Sequence, residues 1–184
     1  PLYHCHISLK YGVVKTDTSY KEKLRCAFFN TKISTTDLTK RVEQLTVDKN
    51  INSIIKTLQE IEPKVTDIRI GIGGVVYIDI GSSSLMPMNI MGDGMMRLLA
   101  ILAAIADMKN GVLLIDEIEN GFHYKTMKIA WKAILSACKA YGVQIIATTH
   151  SYECIEELSS SYSEFEPEGD DIRLYRLEKI DNIH

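Results

Sequence analysis

Two adjacent carboxylates follow a short run of aliphatic residues in the second half of the chain. Val112–Ile115 is typical of a buried strand, and Asp116 and Glu117 come directly after it. In an open parallel sheet, ligands collect at the carboxyl ends of the strands, so we expect both side chains in such a crevice. There Asp116 could hold Mg²⁺ through its waters, and Glu117 could orient and deprotonate an attacking water. A strand that merely ends in a polar turn is the alternative.

A histidine follows the next run of strand-forming residues. Residues 143–148 predict a strand, and His150 and Ser151 come after it. Neighbouring strand ends open onto the same crevice, so His150 could bond a γ-phosphate or its attacking water. Ser151 could cap the helix that follows, and we also expect it among the nucleotide-binding residues. A histidine at a strand end is by itself more often a turn residue, and the preceding acidic strand is what favours a functional role.

A glycine-containing loop precedes a long apolar helix predicted over residues 95–108. Gly92, Asp93 and Gly94 form this loop. Glycine lets a backbone approach a ligand closely, and the amides and dipole of a helix N-terminus favour a phosphate. The alternative is a plain Asp N-cap between two turn glycines.

The loop that cradles the α- and β-phosphates in many nucleotide-binding proteins is missing from this sequence. No GxxxxGK[ST] motif occurs, because residues 71–74 and 81–84 lack a lysine in place and Gly12 stands too close to Lys15. The sequence begins at Pro1 rather than at a methionine, so we expect further residues upstream.

These candidate residues need a sheet to position them. Helices are predicted at 95–108, 122–141 and 152–158, and strands at 112–115, 143–148 and 172–177. Helices that alternate with short apolar strands predict an α/β fold, with a parallel sheet covered on both faces. The serine-rich and then acidic stretch 159–171 predicts a solvated loop.

The first part of the chain divides into three patterns. Residues 1–35 give weak strand signals at 6–9 and 25–29. Residues 36–64 predict two helices broken near 48–50, as a lateral region. Residues 65–80 alternate around three glycines, as a β-hairpin would, and a Gly-Ser loop follows at 81–84. We therefore expect an irregular N-terminal segment (1–35), a helical lateral region (36–64) and a core (65–184).

The order of glycine loop, acidic strand and histidine strand resembles the C-terminal half of ABC-type ATPase domains. Within that group the chain is similar to the OLD-like (overcoming-lysogenisation-defect) AAA-type ATPases, relatives of the RecF and SMC proteins. The resemblance covers about residues 61–158 and is most specific at 114–123 and 147–151. It implies an incomplete P-loop NTPase fold, a three-layer sandwich with a mainly parallel sheet.

The resemblance also implies roles for individual residues. Asp116 would be the Walker B aspartate near Mg²⁺, Glu117 the catalytic base, and His150 the switch histidine that senses the γ-phosphate. Residues 92–94 would form the signature loop that contacts the ATP of a partner subunit, although Met91 stands where the family usually has a serine. Residues 119–121 would be the D-loop at the dimer interface.

The family's working cycle implies cofactors and partners. ATP and Mg²⁺ would bind only together with the missing P-loop, and ATP would close a homodimer through the signature and D-loop faces. Many OLD-like relatives work with a nuclease, often a fused Toprim domain, in DNA repair or defence against phage. No such domain fits after Leu158, and the fragment alone is expected to be inactive.

Two other functions remain open. The chain could be a non-catalytic interaction or dimerisation module derived from such an ATPase, in which case Glu117→Gln would leave biological activity intact. It could also be a metal-dependent nuclease that uses Asp116, Glu117 and Glu119.

Composition limits the partners and the location. The formal net charge of −3 gives no support to a general DNA-binding role, and the longest apolar run contains Arg97 and is too short for a bilayer. The four cysteines form no CxxC pair, and the spacing of His4–His6 does not suit zinc. We expect a cytoplasmic protein with free thiols.

Overall fold

The computed structural model of the chain describes the backbone of residues 5–8, 13–16, 24–29, 35–165 and 171–177, and the side chains of residues 24–29, 36–165 and 171–177. Most of the segment 1–35, including the side chains of His4–His6, lies outside the described residues. The described elements are, in chain order, β1 (Cys5–Ser8), β2 (Val13–Thr16), β3 (Cys26–Phe29), α1 (Thr35–Val47), α2 (Ile51–Gln59), β4 (Asp67–Ile70), β5 (Val76–Asp79), β6 (Met86–Pro87), α3 (Asp93–Asp107), β7 (Val112–Ile115), α4 (Tyr124–Tyr141), β8 (Gln144–Ala147) and α5 (Tyr152–Ser163).

Three parallel strands form the central sheet in the order β3–β7–β8. Ile115 at the end of β7 pairs with Phe29 on one side and with Ala147 on the other. All three strands therefore end at one edge of the sheet. The acidic pair continues from the middle strand, and the histidine segment continues from its neighbour.

The two faces of this sheet differ in burial. On one face Leu113 and Ile115 are buried against the helices. On the other face Phe28 is 63% exposed and Ile146 is 56% exposed. The α/β class and the mainly parallel sheet flanked by helices are as predicted, but the described residues cover one face rather than both.

Helix α3 forms the centre of the hydrophobic core. It is apolar around most of its circumference, which is typical of a helix enclosed by other elements. The helices predicted at 36–64 contribute Val42 and Leu58 to the same core cluster, and both are fully buried. The break between these helices falls at Lys49, whose φ of 60° ends α1. Both helices and their break are thus confirmed.

The predicted hairpin is also present. β4 and β5 pair antiparallel with Ile70 opposite Val76, and β6 adds a third strand. A single 3₁₀ turn connects β4 to β5, with Gly73 at a φ of 75°, in the region that glycine adopts readily.

The C-terminal part differs from the prediction in two places. Helix α5 extends to Ser163, so the first part of the expected loop 159–171 is helical. The reason is that Ser161 is fully buried, and its hydroxyl donates to the carbonyl of Lys128 on α4 at 3.3 Å. Residues 172–177 form no strand, and Leu177 is 96% exposed, without a described neighbouring strand to pair with. Nowhere in the described ranges is a helix both long and apolar enough to cross a bilayer.

Candidate active site

The ends of β7 and β8 are joined by a threonine hydroxyl. Thr148, the residue after β8, donates from Oγ1 to Oδ1 of Asp116 at 2.6 Å. Oγ1 of Thr148 also accepts a hydrogen bond from the backbone amide of Glu117 at 3.0 Å. The amide of Ile118 then donates to the carbonyl of Thr148 at 3.0 Å. The acidic pair and the segment that carries the histidine are therefore neighbours, as the parallel strands predicted.

Glu117 has an unusual backbone conformation. Its φ of 46° lies in the left-handed region, which costs a non-glycine residue about 1–2 kcal/mol. The guanidinium of Arg97 donates to the carbonyl of Glu117 at 2.9 Å and to that of Asp116 at 3.2 Å. Arg97 thus holds the sharp turn that carries both carboxylates.

Arg97 is a buried cation on an otherwise apolar helix. It is 2% exposed, and its guanidinium lies 5.5 Å from the ring centre of Phe29. Burial lowers the pKa of Arg97, whereas the negative charges of Glu119 and Glu117 raise it. An arginine remains charged at any ordinary pH, so the acidic turn and the buried cation compensate each other. Sequence reasoning did not identify this residue, although one charge within a long apolar helix was the available signal.

Glu119 contacts the histidine segment directly. Its Oε1 accepts the backbone amide of His150 at 2.8 Å. Burial raises the pKa of Glu119. Hydrogen bonding to the amides of His150 and Glu119 and to the hydroxyl of Thr149 lowers it, as does the charge of His150. The net effect is a pKa of Glu119 below its usual value. The side chain is therefore a carboxylate at neutral pH.

The acidic residues do not form a metal-binding cluster of their own. Among the described residues, no group of three His, Cys, Asp or Glu side chains could hold a metal ion. The nuclease hypothesis, which needs Asp116, Glu117 and Glu119 around one metal, therefore gains no support. Asp116 and the hydroxyl of Thr148 are nevertheless hard oxygen donors, which suit a Mg²⁺ ion that keeps several waters.

The glycine loop packs against the turn after β7. Gly92, with a φ of 94°, precedes the first residue of α3, so Asp93 lies inside the first turn rather than at the N-cap. A Cβ on Gly94 would lie 2.9 Å from the carbonyl oxygen of Gly121. The segments predicted as the signature loop and the D-loop are therefore in close contact.

Two of the polar residues after β8, His150 and Ser151, have different environments. Ser151 caps α5 as predicted, because its hydroxyl oxygen accepts the amide of Cys154 at 3.1 Å. The same hydroxyl donates to Glu153 at 2.8 Å. The side chain of His150 is exposed. The hydroxyl of Ser151 is thus already engaged by its own helix, whereas the histidine is accessible.

The predicted site is accessible from solvent, since Thr148 and His150 are exposed and Asp116 and Glu117 are partly exposed. A cavity of about 280 Å³ lies elsewhere, where Arg25, Arg41, Asp107 and Lys109 meet at the start of β3 and the end of α3. That position is at the opposite ends of the strands from Asp116.

Comparison with known proteins gives a family match over most of the chain. The family model described as "AAA domain, putative AbiEii toxin, Type IV TA system" matches residues 15–156. A protein of Helicobacter pylori named "ATP/GTP phosphatase" is 30% identical over 126 residues, which are 66% of this chain and 30% of that protein. An uncharacterized protein of Methanocaldococcus jannaschii is 35% identical over 79 residues, which are 43% of this chain and 69% of that protein. The chain thus spans under a third of the Helicobacter protein.

Proposed function

Because the chain belongs to the AAA-domain family, we propose that it supplies the hydrolytic edge of an ATPase that binds ATP with Mg²⁺. The observation that carries the proposal is the bridge of the Thr148 hydroxyl between the carboxylate of Asp116 and the amide of Glu117. This bridge fixes the carboxylate of Asp116 and the backbone of Glu117 side by side at the edge of the sheet.

The proposed roles divide between three residues. Asp116, as the proposed Walker B aspartate, would hold Mg²⁺ through water, and the ion would neutralise charge on the phosphates. Glu117 is the base that orients the attacking water and takes its proton. His150, accessible at the end of the neighbouring strand segment, donates a hydrogen bond to the γ-phosphate as the switch histidine.

The remaining half of the nucleotide site must come from elsewhere in the assembly. This sequence has no GxxxxGK[ST] loop, so we propose that residues outside it cradle the α- and β-phosphates. ATP then closes an ABC-type, OLD-like homodimer in which residues 92–94 contact the nucleotide of the partner. The close packing of Gly94 on Gly121 supports this step, because it places both proposed interface segments together.

The proposed biological setting is DNA repair or phage defence, with a nuclease as a partner or fused domain. The family description names a toxin of a type IV toxin–antitoxin system, and the Helicobacter relative is named as a phosphatase of ATP and GTP. A net charge of −3 gives DNA binding by this chain no support of its own.

The decisive experiment substitutes Glu117 in the full-length gene product. Glu117→Gln keeps the shape of the side chain and removes the base, so we expect retained ATP binding, trapped ATP, a persistent dimer and hydrolysis reduced at least about 100-fold. Glu43→Gln, at an exposed position of α1, is the matched control and should behave as wild type.

A second candidate is a non-catalytic interaction or dimerisation module, which the missing phosphate-binding loop favours. In that case Glu117→Gln would leave biological activity unchanged, and equilibrium dialysis of the full-length protein would detect no ATP binding. Either result would contradict the proposed ATPase function.

A further inference from the structure

Glu119 connects two segments that both belong to the candidate site. Its position, three residues after Asp116, places it in the turn predicted as the D-loop. Its carboxylate nevertheless points across the sheet edge and accepts the amide of His150, 31 residues later, at 2.8 Å. A residue that the sequence suggests as an interface residue or metal ligand is thus bonded to the histidine segment.

The segment that carries His150 has no regular structure of its own. Residues 148–151 lie between the end of β8 and the start of α5. Thr148 is fixed by its bonds to the acidic turn, and Ser151 is fixed as the cap of α5. Between these two anchors the amide of His150 is held by Glu119. The carboxylate therefore restricts the backbone from which the imidazole extends.

The charge of Glu119 strengthens this contact. A hydrogen bond to an ionised acceptor is roughly twice as strong as one between neutral groups. The hydrogen bond from the amide of His150 lowers the pKa of Glu119 against the effect of burial, and the negative charge of Glu119 acts on the buried guanidinium of Arg97. The carboxylate is thus compensated by a cation that also holds the carbonyls of Asp116 and Glu117.

We propose that Glu119 is a positioning residue for His150, holding the switch histidine where it can meet the γ-phosphate. The inference rests on the proposed ATPase function and deepens it. In this role Glu119 acts through the main chain of His150 and not by contacting the nucleotide or the metal. Its effect on hydrolysis therefore requires the imidazole of His150.

Steady-state kinetics of the full-length protein test this dependence. Glu119→Ala should lower kcat about 10- to 100-fold, since small misplacements of a catalytic group have effects of this size, with KM for ATP changed less than about twofold. Glu119→Gln keeps an acceptor oxygen, so its kcat should fall less than that of Glu119→Ala. Glu156→Gln, an exposed carboxylate of α5, is the control and should match wild type.

The double variant separates positioning from an independent role. In a His150→Ala background, Glu119→Ala should add less than about twofold to the loss, because residues that act as a unit are not additive. If it multiplies the loss by its full single-variant factor, Glu119 acts without His150 and the proposal is wrong. Should Glu119→Ala fail to fold, the same comparison is made with Glu119→Gln.

A second measurement does not depend on catalysis. Hydrogen–deuterium exchange in a peptide covering residues 148–151 should be faster by about tenfold or more in Glu119→Ala than in wild type, because the amide loses its acceptor. Unchanged exchange would overturn the positioning role. If the wild-type protein hydrolyses no ATP but exchange is still faster in Glu119→Ala, the proposed ATPase function is contradicted and the contact between Glu119 and His150 is established.

Discussion

The hydroxyl of Thr148 lies 2.6 Å from a carboxylate oxygen of Asp116 and 3.0 Å from the amide nitrogen of Glu117. One short side chain therefore connects the end of β8 to both members of the acidic pair. It donates to the first and accepts from the second, which uses its hydroxyl proton and one of its lone pairs. The register of the sheet places it there, because Ala147 pairs with Ile115 and the following residues continue side by side.

Replacing Thr148 with valine should disturb this arrangement. Valine keeps the β-branched shape and removes the hydroxyl, so both hydrogen bonds are lost. Because Thr148 is exposed and water can replace its bonds, we expect a loss of about 1 kcal/mol in the free energy of unfolding, measured by urea denaturation. Thr148→Ser retains the hydroxyl and serves as the control. Equal stability of the valine and serine variants would show that the bridge contributes nothing.

Substitution of Arg97 should destabilise the protein far more than substitution of an arginine at the surface. Arg97→Met keeps much of the apolar volume but leaves the carbonyls of Asp116 and Glu117 without their charged donor. Loss of hydrogen bonds to a charged group predicts a decrease of about 2–3 kcal/mol in the free energy of unfolding, by urea denaturation. Arg69→Met removes an arginine paired with Asp67 at the surface, and should have a much smaller effect. Similar losses in both variants would argue against the role assigned to Arg97.

The sequence alone predicted the parts of the site that depend on local pattern. The run Val112–Ile115 followed by two carboxylates identifies a strand and the acidic turn at its end, because apolar content and strand position are encoded in adjacent residues. The bond between Glu119 and His150 has no such signal. It joins residues 31 positions apart, and only the packing of the turn onto the histidine segment determines it.

The incorrect predictions have the same cause. Residues 172–177 have a strand-like composition, but a strand also needs a partner, and a short sequence pattern does not reveal one. The serine-rich and then acidic composition of residues 159–171 predicts a solvated loop, yet α5 continues to Ser163. The small side chain of serine is what allows Ser161 to be buried against Lys128 of α4. Tertiary contact thus overrode local preference in both segments.

Gly94→Ala should destabilise the protein although it lies within a helix. At an ordinary helix position, replacing glycine with alanine stabilises by up to about 1 kcal/mol. At Gly94 the new Cβ would lie 2.9 Å from the carbonyl oxygen of Gly121, and a backbone atom cannot move aside easily. We expect a lower melting temperature and, if the proposed dimer forms, weaker ATP-dependent dimerisation, measured by light scattering.

Asn52→Ala, at an exposed position of α2, is the control and should not be destabilising. A more stable Gly94→Ala protein would contradict the close packing of the two loops.

The ion pairs at the end of α5 predict a defined pH dependence. Glu164 accepts from Lys128 at 2.7 Å and also pairs with Lys132, one helical turn further along α4. Hydrogen bonds from these two lysines lower the pKa of Glu164 to about 2. Since the folded-state pKa is below the unfolded value of about 4.3, the stabilisation is complete above that value and is lost as the pH falls through about 2. The melting temperature of wild type should therefore exceed that of Glu164→Gln at pH 6, and the difference should shrink between pH 4 and pH 2. High salt should also reduce this difference, because the ion pairs are exposed and screened.

Glu156→Gln, also at an exposed position of α5, is the control, and its melting temperature should show no such pH-dependent difference from wild type. A difference between wild type and Glu164→Gln that stays constant from pH 6 to pH 2 would show that these ion pairs do not stabilise the contact between α4 and α5.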